Sequence, residues 1–79
     1  KGIDMEMGVT DSNEKDAQIK KAFMRAAKKR VLAVDSTKFD KISFMQIAEL
    51  SDIDLIVTDA EPNEQWKRHL ESEQVELMY

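Results

Sequence analysis

The sequence contains no cysteine, so neither a disulfide framework nor a thiolate metal site is available to it. That usage agrees with a reducing, cytoplasmic setting. Histidine occurs once, at His69; without a second imidazole or a nucleophile elbow it reads as a rim residue beside an apolar helix face. No apolar run approaches the ~20 residues of a membrane span, and no signal-peptide pattern opens the chain, so no membrane partner is expected. GxGxxG, P-loop, HExxH and EF-hand patterns are all missing, and no cofactor is implied. Positive charge is also in deficit, with 12 basic against 16 acidic residues and a net charge of −4. A surface that grips nucleic acid is usually basic, so this stretch is not expected to bind DNA itself. Its basic cluster Lys28-Lys29-Arg30 falls where a helix should end, and cations there complement the helix dipole.

Seventy-nine residues make one small domain, burying roughly 60–65% of its unfolded surface. The chain starts on Lys1 rather than Met and ends on Tyr79 inside an apolar alternation, which reads as part of a longer protein.

What is present is organised around residues 31–39. Val31-Leu32-Ala33-Val34 is too short for a helix and is bounded by charge, the pattern of a strand buried on both faces. It stops at Asp35-Ser36-Thr37-Lys38, which puts a carboxylate, two hydroxyls and an ammonium just past its carboxyl end. Ligands of open α/β sheets bind there. An anion such as phosphate has Lys38, the hydroxyls and the loop N–H groups available. The plainer reading is a turn with a solvated lysine.

Residues 1–13 hold both glycines and have loop composition, with Asp11 and Glu14 fitting a capping-box-like helix start. A helix over 14–30 follows, its apolar stripe formed by Ile19, Ala22, Phe23, Ala26 and Ala27. Lys20, at the margin of that stripe, reads as a snorkelling surface lysine. Residues 43–47 are read as a short edge strand and 54–57 as a second buried strand, ending in Thr58-Asp59. Pro62 suits the first position of a helix running to 72, with Trp66 and Leu70 turned to the sheet. A third strand over 75–78 completes a parallel βαβ unit. Asp35 and Asp59, both at strand ends, are the one candidate acid/base pair, against the alternative that they are turn and cap residues.

Taken together, Gly2-Ile3-Asp4, Gly8-Val9-Thr10, Ala17-Gln18-Ile19-Lys20-Lys21, Val34-Asp35-Ser36-Thr37-Lys38-Phe39 and Ile53-Asp54 through Thr58-Asp59 resemble the C-terminal effector domain of the DeoR family of bacterial sugar-metabolism repressors. The order and spacing match over nearly the whole chain. The resemblance implies an effector such as the phosphorylated sugars of lactose, fructose or glycerol-phosphate regulons. It also implies a fold like the phosphosugar isomerases and glucosamine-phosphate deaminases. Lys38 matches the lysine expected to meet the ligand phosphate, Asp35 and Ser36 its loop neighbours, and Lys20 a helix lysine facing the same cleft. Thr58 and Asp59 match the strand end.

Two departures stand out. The position after Phe39 is commonly Gly in the family and here is Asp40, which puts the loop backbone in question. The family's winged helix-turn-helix and the first half of its sensor domain have no counterpart within 1–79.

The resulting expectation is an α/β fold, a partial layered domain of mostly parallel sheet flanked by two helices, forming the C-terminal part of a sensor domain over 1–79. Its partners would be a phosphorylated sugar, DNA only through the N-terminal domain, and a second copy of itself, because an uncovered sheet edge recruits another chain. Lys38, Asp35, Ser36, Lys20 and Asp59 are the candidate ligand-binding residues, with no catalytic role. A fragment of a phosphosugar isomerase or deaminase, with Asp35 or Asp59 moving protons, is the rival reading. A small interaction domain without a ligand is the third.

Overall fold

A computed structural model describes all residues, Lys1–Tyr79. Six strands and two helices follow one another as β1 (Gly2–Asp4), β2 (Gly8–Asp11), α1 (Glu14–Ala26), β3 (Val31–Ala33), β4 (Met45–Ala48), β5 (Leu55–Val57), α2 (Glu64–Ser72) and β6 (Glu76–Met78). They form an α/β domain with two three-stranded sheets. One, in the order β3-β5-β6, is wholly parallel; the other, β1-β2-β4, is antiparallel.

The parallel half follows the sequence pattern closely. Val31 pairs with Leu55, and Leu55 in turn with Glu76, so the three short apolar runs lie side by side in register. Helix α2 lies between β5 and β6 in the chain, as expected for a βαβ unit, and packs against β6. It starts two residues later than Pro62 predicts, at Glu64: Asn63 is its N-cap, accepting from Trp66 N at 2.8 Å. Trp66 and Leu70 are both fully buried.

The antiparallel half corrects the expectation of a mostly parallel sheet. Residues 1–13 are not loop but a β-hairpin. The Asp4 carboxylate accepts from the N–H groups of Glu6 and Met7, each at 3.0 Å, and so folds the connection. Gly8, at φ 73°, closes it. A Cβ on Gly8 would stand 2.2 Å from the Ala48 carbonyl oxygen, so the glycine lets β2 run close beside β4. The strand expected at 43–47 is β4, shifted toward the C-terminus; it is an edge strand, but of this sheet.

Helix α1 departs from the sequence reading in extent and in rotation. Its N-cap is Asn13, accepting from Asp16 N at 3.0 Å, not Asp11. It ends at Ala26, so Lys28, Lys29 and Arg30 lie beyond it and only Arg25 occupies the last turn. Its inner face is Ala17, Lys20, Lys21 and Met24, packed on β2 and β4. The predicted stripe points outward: Ile19 is 55% and Phe23 71% exposed. On the inner face Ala17 is fully buried, Met24 packs against the core, and Lys20 pairs with Asp11, which is buried on β2.

Strand β3 is likewise not covered on both faces. Val31 is 55% exposed, and β3 forms one edge of its sheet. A groove of about 350 Å³ runs between it and α1.

A single buried cluster joins the two sheets: Ile3, Val9 and Ala48 from one, Ile56 from the other, with Val34 just past β3 and Leu50, Ile53, Trp66, Leu70 and Val75. A parallel bridge between Ile3 and Phe39, with Lys41 N donating to Ile3 O at 3.3 Å, ties β1 to the segment after β3. That tie holds the candidate loop in place.

Candidate functional site

The loop after β3 is a 3₁₀ turn, Ser36–Lys38, capped by Asp35. The Asp35 carboxylate accepts from Thr37 N at 3.0 Å and from the Thr37 hydroxyl, while Lys38 N donates to Asp35 O at 3.1 Å. The loop after β5 reaches across to it. Ser36 N donates to Asp59 Oδ1 at 2.7 Å, and the Thr58 hydroxyl reaches the same oxygen at 3.4 Å. Asp35, Ser36, Lys38 and Asp59 are thus assembled at the carboxyl ends of two adjacent parallel strands.

Their chemistry is more restricted than the sequence implies. The N–H groups of Thr37 and Lys38 are spent on Asp35 within the loop and that of Ser36 on Asp59, which corrects the expectation that they receive an anion. Both carboxylates serve as acceptors that shape the turn. Hydrogen bonds from the Thr37 side chain and backbone hold Asp35 below the usual carboxylate range, and the Ser36 N–H does the same for Asp59. A carboxylate stabilised in its ionised form is a poor proton acceptor at neutral pH. Lys38 differs: it is half-buried and forms none of the ion pairs that engage Lys20 and Lys67. Its ammonium remains for an anionic ligand, whereas the Ser36 hydroxyl is directed to the Asp59 carboxylate.

Lys20 is not brought to this loop by any contact. It pairs with Asp11 and lines the separate groove between α1 and β3.

The residue that sequence reasoning undervalued is Asp40. It adopts φ 62°, the left-handed region that glycine enters freely, so the loop keeps a glycine-like backbone without glycine. Its Oδ1 accepts from Trp66 Nε1 at 3.0 Å, satisfying the one side-chain polar group of a residue that is 1% exposed. The Phe39 ring meets the Trp66 ring edge-on at 4.9 Å between centroids. The signal in the sequence was the non-glycine residue at a position the resemblance gives to glycine; its partner, 26 residues away, was not readable. A groove of about 260 Å³ lies between this loop and the start of α2, bordered by Ser36, Phe39, Asp40, Asn63 and Trp66.

The depressed carboxylates predict a direction of pH dependence. A folded-state pKa below the unfolded one adds stability above the unfolded value, about 4 for a carboxylate, that disappears as pH falls through the folded value. The thermal midpoint should therefore be level from pH 7 to 5 and fall below about pH 4. Replacing Asp59 with Asn should make that fall shallower. A midpoint rising on acidification would contradict the assignment.

The family described as the DeoR C terminal sensor domain matches residues 1–60. The transcriptional repressor GlcR of Bacillus subtilis is 37% identical over 73 residues, 92% of this chain and 28% of the repressor. The deoxyribose operon repressor of Escherichia coli is 30% identical over 78 residues, 99% of this chain and 31% of that protein. The L-fucose operon activator of Haemophilus influenzae is 41% identical over 58 residues, 73% of this chain and 23% of the activator. The chain thus spans less than a third of the length of these curated relatives.

Proposed function

The chain belongs to the DeoR C-terminal sensor-domain family, and from that premise we propose that it senses a phosphorylated sugar and so modulates DNA binding by another part of the same regulator. The observation that carries this is the Lys38 ammonium, without an ion-pair partner at the carboxyl ends of β3 and β5, where ligands of α/β sheets bind. Relatives named for fucose and deoxyribose operons support a sugar-derived effector. The parallel sheet with α2 beside it supports kinship with the phosphosugar isomerase and deaminase fold. Asp35, Ser36 and Asp59 build the turn that presents Lys38. Lys20 would bear on the effector only indirectly, through the seating of α1.

The mechanism is binding without turnover. Ligand held at Lys38 favours one arrangement of the sensor over another and transmits that preference to the DNA-binding part. Proton transfer by Asp35 or Asp59 is disfavoured because hydrogen bonds hold both carboxylates ionised. Calorimetry on the full-length protein tests the proposal. Phosphorylated sugars should bind, their unphosphorylated parents should bind far more weakly, and neither should be consumed. Turnover of a sugar phosphate would favour the enzyme reading instead.

Self-association is a second part of the proposal. No helix is long and apolar enough to cross a membrane, so the apolar side chains of α1 and β3 are not accounted for as a helical membrane span. The open edge of β3, with Val31, Ile19 and Phe23 exposed, suits contact between two copies of the chain. Sedimentation equilibrium of the 79-residue chain should show mass rising with concentration above 9.1 kDa. A folded species steady at that mass at high concentration would exclude it.

A further inference from the structure

We propose that the groove between the Asp35–Asp40 loop and the start of α2 takes the hydroxylated body of the ligand, with Asp40 as the residue that sets which sugar phosphate is accepted. The inference rests on the reading that Lys38 holds the anionic group.

The groove, at about 260 Å³, lies just under the ~300 Å³ at the small end of ligand pockets, a scale suited to one sugar ring. It adjoins the turn that carries Lys38, because Ser36 of that turn borders it. Its polar groups have defined spare capacity. Asp40 gives Oδ1 to the indole of Trp66, which leaves Oδ2 to accept from a hydroxyl. Asn63 gives Oδ1 to the Trp66 N–H, which leaves its amide hydrogens to donate. The Ser36 hydroxyl donates to the Asp59 carboxylate, which leaves its oxygen to accept. Glu61, also on the rim, is already engaged by Lys67 and by the Tyr79 hydroxyl. The Phe39 ring supplies apolar surface for the C–H face of a sugar. Acceptor, donor and apolar wall together suit a polyhydroxy ring better than a flat aromatic or a long aliphatic ligand.

Asp40 is also held rigidly enough to discriminate. A non-glycine residue persists in the left-handed region where its surroundings fix it. Here the buried indole N–H does so, while Phe39 and Lys41 on either side are tied to Ile3. Its free oxygen therefore occupies one place, and a ligand hydroxyl must come to it.

The test is calorimetry on the full-length protein with glucose 6-phosphate, fructose 1-phosphate and inorganic phosphate. Asp40→Gly keeps the backbone conformation and removes the acceptor. Asp40→Asn keeps an acceptor for the indole but turns a donor toward the groove. Asp40→Gly should weaken the better sugar phosphate about tenfold, the loss of one ligand hydrogen bond, and leave inorganic phosphate unchanged. Asp40→Asn should alter the preference between the two sugars, while in the 79-residue chain, whose one tryptophan is Trp66, the emission stays close to wild type. Lys38→Ala should weaken all three ligands together. Equal losses for sugar phosphates and inorganic phosphate in both Asp40 variants would mean a structural role only and would overturn the proposal, as would no change in either. If Asp40→Gly fails to fold, the sugar preference of Asp40→Asn decides. An unaffected Lys38→Ala variant beside a selective Asp40 effect would overturn the anion site and keep the groove. Wild type binding none of the three would sink both.

Discussion

Replacing Trp66 with Ala should abolish cooperative folding, or come close to it. Trp66 is the largest fully buried side chain and touches every part that matters: Phe39 after β3, His69 within α2, and the carboxylate of Asp40. Truncating a buried aromatic to Ala costs about 3–5 kcal/mol, from lost transfer energy and the cavity left behind. A domain of this length has a total stability on the order of 4–12 kcal/mol, so the loss removes much or all of it. The damage extends beyond the cavity, since Asp40 would lose the partner that holds it at a positive φ. Trp66→Phe separates the two contributions: it keeps most of the apolar volume and removes only the indole donor. Urea denaturation followed by far-UV circular dichroism should show a low or absent midpoint for Trp66→Ala and a smaller decrease for Trp66→Phe. A midpoint within experimental error of wild type for Trp66→Ala would mean that the core does not close around this residue.

Lys38→Ala should leave the fold intact and weaken effector binding by about 1.5–3 kcal/mol, the range for a hydrogen bond to a charged group. The two effects separate because Lys38 contributes its backbone, not its side chain, to the turn. Lys38 N donates to Asp35 O, and its ammonium makes no ion pair. Truncation removes little apolar burial, so the thermal midpoint should barely move. Lys38→Arg should restore part of the affinity, less than a full exchange of cation because the guanidinium fork has a different shape from a point-like ammonium. Unchanged calorimetric affinity of Lys38→Ala for every phosphorylated sugar that binds wild type would place the anion site elsewhere in the protein.

Several features of this protein were legible from local sequence alone. Short apolar runs at β3 and β5 and the apolar alternation around β6 specify strands, and the spacing of β5 and β6 around one amphipathic helix specifies a parallel unit. Trp66 and Leu70, four residues apart, specify the buried face of α2. Asp35-Ser36-Thr37-Lys38 at the end of β3 specifies a capped turn carrying a lysine, because these side chains bond to backbone two residues away. All of these depend on neighbours within a turn or two of chain.

The remainder needed the tertiary structure, because each case was decided by a partner far along the chain. The hairpin of β1 and β2 consists of runs of three and four residues, too brief to show alternation; it exists because β4, more than 30 residues on, pairs with β2. Periodicity predicted that α1 is amphipathic but not which way it is rotated. In the fold Ala17, Met24 and the Lys20–Asp11 pair occupy the inner face, so Ile19 and Phe23 lie outward and Lys20 lies away from the Asp35–Lys38 loop. Asp40 reads as a misplaced charge in a glycine position until the indole of Trp66 is beside it. Local sequence sets what each segment can be through short-range sterics and spacing. Which face it presents, and what its charged groups meet, is settled only when distant segments compete for the same buried space.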